Sequence, residues 1–123
     1  MFDYNKLSFE SLSTDQILGL YRNSKVVLDI NHPGQKGLTM RTFETIGAGK
    51  KMITTNTEIK KYPFYNSNNV YIIDRNNVVL NKTFFETQYE DVSDELYYKT
   101  SIEGWLKCIF VEKEPNYWIK GID

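Results

Sequence analysis

The chain predicts an α/β fold: a partial, Rossmann-like parallel sheet of three to four strands flanked by helices. Two observations carry this. Short β-branched or apolar runs recur at "KVVLDI" (25–30), "MITT" (52–55) and "NVYIID" (69–74), and segments of roughly ten residues with helical spacing precede or separate them. Strands alternating with helices in this way are joined by right-handed crossovers, which make the strands parallel.

Taken in order, Leu7-Ser8-Phe9 alternates weakly and reads as a short strand. Ser13 and Gln16 then form a capping-box pair, with Leu12 placed to staple against Ile17. Ile17, Leu20 and Tyr21 follow at helical spacing, which predicts a helix over 14–23. The run 25–30 is a strand ended by His32-Pro33-Gly34. A second helix is expected over 38–48, and "GAGKK" leads from it into the second strand.

"NTEIKKYPFYN" (56–66) reads as a short helix broken by Pro63. The third strand ends in an "RNN" turn, and "VVL" (78–80) is a fourth short strand or an edge. Asp74 and Arg75 at the strand's end read equally well as a surface ion pair. Near the end Thr100 and Glu103 make another capping box, and Ile102, Trp105, Leu106, Ile109 and Phe110 form a helical stripe that must pack on something. One domain over 1–123 is expected, with a core over 7–80 and a helical segment over about 94–112. So few strands describe half of a Rossmann-type domain, or a sheet whose edge something else completes.

Fifteen Lys and Arg against sixteen Asp and Glu leave a net charge of -1, which gives no electrostatic reason to expect nucleic acid. The single Cys108 cannot form an internal disulfide and fits a reducing, cytoplasmic setting. No run reaches the roughly 18 apolar residues of a spanning helix, so any membrane attachment is expected to be peripheral, at the inner face.

Ligands of open parallel sheets bind beyond the carboxyl ends of the strands, which points to the loop Asn31 to Lys36. Gly37 carries no side chain to obstruct a ligand, and a helix starting at Leu38 would offer unpaired N–H groups to an anion. At 100° per residue Glu44 falls between Met40 and Ala48 on the apolar arc, so an inward carboxylate is expected there. His32, the only histidine, opens the loop and is a candidate donor or acceptor contact. No metal-ligand cluster is visible. Asp29 also permits a receiver-domain reading, but no acidic pair precedes it and no Lys follows the third strand.

"GLTMRTFETIGAGKKMITTN" (37–56) resembles the C-terminal, nucleotide-sugar-binding domain of two-domain (GT-B type) glycosyltransferases, especially bacterial ones that build lipopolysaccharide or capsule. The resemblance covers roughly 7–75. It implies that Glu44 holds the donor ribose, that the amides of Leu38, Thr39 and Met40 and the Thr39 hydroxyl meet the diphosphate, and that Arg41 lies at the rim. Lys36 stands where such proteins carry their first Glu and would face phosphate instead. The implied substrate is a nucleotide-sugar, with no further cofactor, and the implied acceptor is a glycan or lipid-linked.

The acceptor domain is missing, so a fragment inactive on its own is expected. The alternative is a noncatalytic α/β interaction module. Trp105 and Trp118 near the C-terminus favour a buried interface, with a symmetry mate in a homo-oligomer as one partner.

Overall fold

The computed structural model describes Ser8, residues 10–113, Tyr117 and Trp118. Three parallel strands lie in the order β1 (Val26–Asp29), β2 (Lys51–Thr54) and β3 (Val70–Ile72), which bears out the α/β reading. Val26 pairs with Lys51 and Asp29 with Thr54, and Met52 then pairs with Val70. Helix α1 (Thr14–Asn23) precedes β1, and α2 (Met40–Gly47) crosses from β1 to β2. A 3-10 helix at Thr57–Lys61 connects β2 towards β3, and three short helices follow: α3 (Lys82–Glu86), α4 (Asp94–Thr100) and α5 (Ile102–Lys107). A π-helical turn at Cys108–Glu112 extends α5.

Local chemistry explains most boundaries. Ser13 accepts from the Gln16 amide and the Gln16 side chain accepts from the Ser13 amide, so the capping box forms and α1 spans the expected residues. At the end of α2, Gly49 takes φ +63° while the amides of Gly49 and Lys50 donate to the carbonyls of Ile46 and Thr45. That is a Schellman motif, and its left-handed residue is why a glycine stands at 49. Asn56 caps the 3-10 helix through the Glu58 amide.

Two expectations need correction. Val78, Val79 and Leu80 form no strand; they are exposed, and the Val79 carbonyl accepts from the Tyr71 hydroxyl at 3.0 Å. A three-residue apolar run has β propensity but gains no ladder unless a partner lies alongside. The cap before α5 is Ser101, which accepts from the Gly104 amide at 3.1 Å; Thr100 closes α4 and donates to the Tyr97 carbonyl. Residues Leu7 and Phe9 of the expected first strand lie outside the described residues.

Both faces of the sheet are covered at its β2–β3 side. On one face Met52 and Val70 join Ile46 of α2, Ile59 and Phe64 in the core, and Ile59 is fully buried. Trp118 closes this core, stacked on Phe43 at 6.0 Å and edge-on to Phe64 at 5.3 Å. On the other face Lys51 is buried against Phe84 of α3. Its ammonium donates to the Phe84 carbonyl at 2.8 Å and the Thr87 hydroxyl at 2.5 Å, which ties α3 to the sheet. Burial lowers the Lys51 pKa below the usual lysine value, with the nearby Glu90 charge acting the other way.

Candidate functional site

The carboxyl ends of the three strands meet in a polar network built from loop residues. Asp29 ends β1, is buried, and accepts from the hydroxyls of Thr39 at 2.8 Å and Thr42 at 3.2 Å. Thr39 is the N-cap of α2, yet its hydroxyl bonds Asp29 and no helix amide. The negative charge beside the amino end of α2 is thus the protein's own, and it favours the helix dipole there. The Thr42 amide is also engaged, donating to the Thr39 carbonyl at 3.1 Å.

The loop after β1 is pinned from β2 and beyond β3. Asn31 is buried, and its side-chain oxygen accepts from the Thr55 hydroxyl at 2.5 Å while its amide group donates to the carbonyls of His32 and Gln35. Asn56, also buried, donates to the Gly37 carbonyl at 3.1 Å. Arg75, just past β3, donates to the Asn31 carbonyl and to the Thr55 hydroxyl. Among the described residues, no buried side-chain polar atom in the protein lacks a partner. A network satisfied in this way is rigid and leaves little hydrogen-bonding capacity for a ligand.

Against this geometry the expected site residues separate. Glu44 is exposed and accepts from the Tyr21 hydroxyl at 3.3 Å, so it joins α2 to α1 and does not point into the core. Burial pushes the Tyr21 phenol above its usual pKa, a hydrogen bond with Thr45 opposes this, and the Glu44 charge adds to the rise. The inward positions of α2 are Thr42, Thr45 and Ile46. The expected arc failed because threonine is amphipathic: Thr42 satisfies its hydroxyl on Asp29 and Thr45 on the Arg41 carbonyl at 2.6 Å, so both can be buried.

The helix starts at Met40, two residues later than expected, so Leu38 and Thr39 belong to the loop. Met40 and Lys36 are exposed. Arg41 reaches the Leu28 carbonyl at 3.4 Å. Gly37 has open space where a Cβ would stand, so the fold itself does not demand a glycine there. His32 is exposed, and its Nδ1 accepts from the Gly34 amide at 3.2 Å, an internal cap of the turn.

Residues that organise this edge but were not singled out for it are Asn31, Thr55, Asn56 and Arg75. The signal was present in the Asn and Thr placed directly after each strand. Asp74, read as a partner for Arg75, instead accepts from the Asn76 amide at 2.8 Å. Among the described residues, no group of three or more His, Cys, Asp and Glu could hold a metal ion, and no helix is long and apolar enough to cross a membrane.

A different surface is open. Met40 and Phe43 of α2 face Lys99, Ile102, Trp105 and Trp118 across a largely apolar groove of about 260 Å³. The expected stripe of α5 does not pack inward: Ile102, Trp105 and Phe110 are 74%, 54% and 73% exposed. The buried positions there are Gly104 and Cys108. A Cβ at Gly104 would stand 2.4 Å from the Tyr98 carbonyl oxygen, so the glycine is what lets α5 close on α4 with its small side inward.

Residues 5–123 match the ELG1 C-terminal domain, and the chain belongs to that family. No curated protein and no solved structure gives a significant match. The family, related to DNA-replication clamp loaders, overturns the glycosyltransferase reading, together with the lipopolysaccharide and capsule setting, the nucleotide-sugar substrate and the glycan or lipid-linked acceptor. It also overturns the exclusion of nucleic-acid-related partners drawn from net charge. The physical reason is that a Gly-containing strand-to-helix turn is a feature of parallel α/β folds in general, and fold does not fix function. Net charge, for its part, describes contact with a phosphate backbone and says nothing of proteins that work beside DNA.

Proposed function

We propose that the chain is a noncatalytic α/β interaction module that acts within DNA-related protein complexes. Family membership supports the setting. The observation that carries the module reading is the exposed apolar side of α5, continuous with the groove against α2. Aromatic and aliphatic side chains gathered beside a groove, with the helix's small residues turned inward, fit docking to another protein surface. The self-satisfied network at the sheet's carboxyl edge supports the noncatalytic part, since it uses its acid, amide and guanidinium groups to hold loops together.

Site-directed photocrosslinking in cells tests this. A benzophenone amino acid at Ile102 should yield adducts with DNA-replication or repair proteins, and the same probe at Lys82, whose side chain is 88% exposed on a different helix, should not. Absence of adducts from position 102, or equal adducts from both positions, would remove the proposal. Trp105→Glu should reduce the adducts from position 102 while leaving the thermal midpoint within about 2 °C, because the residue lies on the surface.

A further inference from the structure

The outer edge of β3 is walled on both sides of the sheet. The Met52 amide donates to the Asn69 carbonyl and the Ile73 amide to the Thr54 carbonyl, so the backbone groups of Asn69, Tyr71 and Ile73 face β2. Successive residues of a strand turn their backbone groups to opposite sides, and those of Val70 and Ile72 therefore face away from β2. The Val70 amide is already taken by the Asn66 carbonyl at 2.9 Å. What remains is the Val70 carbonyl, the Ile72 amide and the Ile72 carbonyl, with no hydrogen-bond partner among the described residues. Three groups give another strand little to pair with, whereas they match the edge of a single flat ring.

These groups open into a recess of about 500 Å³, within the range of small-molecule sites. One wall is Tyr65, which packs with Val70 and Ile72 on the core face of the sheet. The other wall is Tyr71 and Phe84 on the opposite face, their rings 5.3 Å apart, with the Tyr71 hydroxyl donating to the Val79 carbonyl. A flat ligand lying in the plane of the sheet would meet the backbone array with its edge and the aromatic walls with its two faces. Lys60 also lines the recess; it is exposed and, among the described residues, in no ion pair. No Asp or Glu lines it among the described residues, so the local charge favours an anion.

We propose that this recess binds an adenine base carrying a phosphate. Along the strand, the Val70 carbonyl, the Ile72 amide and the Ile72 carbonyl form an acceptor, donor, acceptor series. The Watson–Crick edge of adenine is complementary: its exocyclic amine donates to Val70, its N1 accepts from the Ile72 amide, and its C2–H turns to the Ile72 carbonyl. Guanine would set its O6 against the Val70 carbonyl, and cytosine its O2 against the Ile72 carbonyl, so each leaves two acceptors facing one another. Lys60 supplies the charge for the phosphate. A free nucleotide and an unstacked base of a single strand share this chemistry. The site rests on β3 and its walls and does not depend on docking at α5.

The test titrates the chain with adenosine monophosphate to about 5 mM, above the dissociation constant of a weak site, while amide shifts are followed residue by residue. The Ile72 amide should move. The monophosphate of 2,6-diaminopurine adds an N–H opposite the Ile72 carbonyl and should bind at least about threefold tighter. The N6,N6-dimethyl analogue has no donor for Val70 and should bind at least about tenfold more weakly. Adenosine without its phosphate should lose about threefold, a difference that Lys60→Ala removes. Ser67→Trp, at an exposed position lining the recess, should block binding; if that variant fails to fold, the nucleotide series on the unaltered chain still decides. A pentamer of deoxyadenosine moving the same amide at least about tenfold more tightly would identify a single strand as the source, and weaker or equal binding a free nucleotide; both results keep the proposal.

An unmoved Ile72 amide, or equal binding of the adenine, guanine and dimethyl nucleotides, overturns the proposal. Shifts confined to Lys60 also overturn it, because the phosphate alone is then bound. So does slow exchange of the Ile72 amide in the free chain, since the protein's own groups then occupy the array.

Discussion

Isoleucine 59 and isoleucine 102 are the same residue in two regions of one small protein, and they meet opposite fates. Ile59 lies fully buried between β2, α2 and the aromatic cluster, whereas Ile102 at the start of α5 is 74% exposed. The half-sheet around Ile59 consumes its own functional groups, its carboxylate held by threonines and its asparagines by carbonyls. The region around Ile102 keeps its small residues inside and its large apolar ones outside. The contrast teaches that the polar edge of the sheet spends its groups on the fold itself, whereas the large apolar side chains of α5 stay exposed.

Matched truncations give the largest effect. Ile59→Ala should cost about 4 kcal/mol in denaturant unfolding, and Ile102→Ala under about 0.5 kcal/mol. Comparable losses at the two positions would mean that α5 buries its stripe in solution, and the contrast between the regions would fail. Next comes Gly104→Ala, expected to cost about 3 kcal/mol because the new methyl meets the Tyr98 carbonyl oxygen at 2.4 Å and the Tyr117 hydroxyl at 3.0 Å. A thermal midpoint equal to the parent's would show that the α4–α5 contact is not tight.

Within the half-sheet, Thr42→Val should cost about 1–2 kcal/mol, since it keeps the volume and removes one donor from buried Asp29. Equal stability of the variant and the parent would mean that Asp29 is hydrated and the network open. The smallest effect belongs to Glu44→Ala, within about 0.5 kcal/mol, because the carboxylate is exposed and its bond from Tyr21 is long. A loss several times larger would return Glu44 to the interior and weaken the account of α2 given above.

Much of the fold was legible. The Ser13–Gln16 box fixed the start of α1, and the three β-branched runs became the three parallel strands. Both signals are local: a cap needs a hydroxyl and an amide within one turn, and a strand needs β-branched residues between breakers. Glu44 shows where local signals stop. A helical wheel gives relative angles along α2 but not which angle faces the sheet, and the presence of Asp29 on β1 made threonines the better buried residues. The stripe on α5 was equally visible as periodicity, yet periodicity cannot distinguish packing within the chain from packing on something else.

By itself the sequence determined where α1 begins and ends and roughly where the three strands lie, because capping and breaker chemistry act within a few residues of one another. It also determined that the sheet is parallel, because strands alternating with helices leave no room for hairpins. Only the tertiary structure decided which sides face inward, and with that which groups are spent and which remain open. That choice depends on contacts between residues far apart in the chain, Asp29 with Thr42, Tyr21 with Glu44 and Phe43 with Trp118, whose partners no local pattern names.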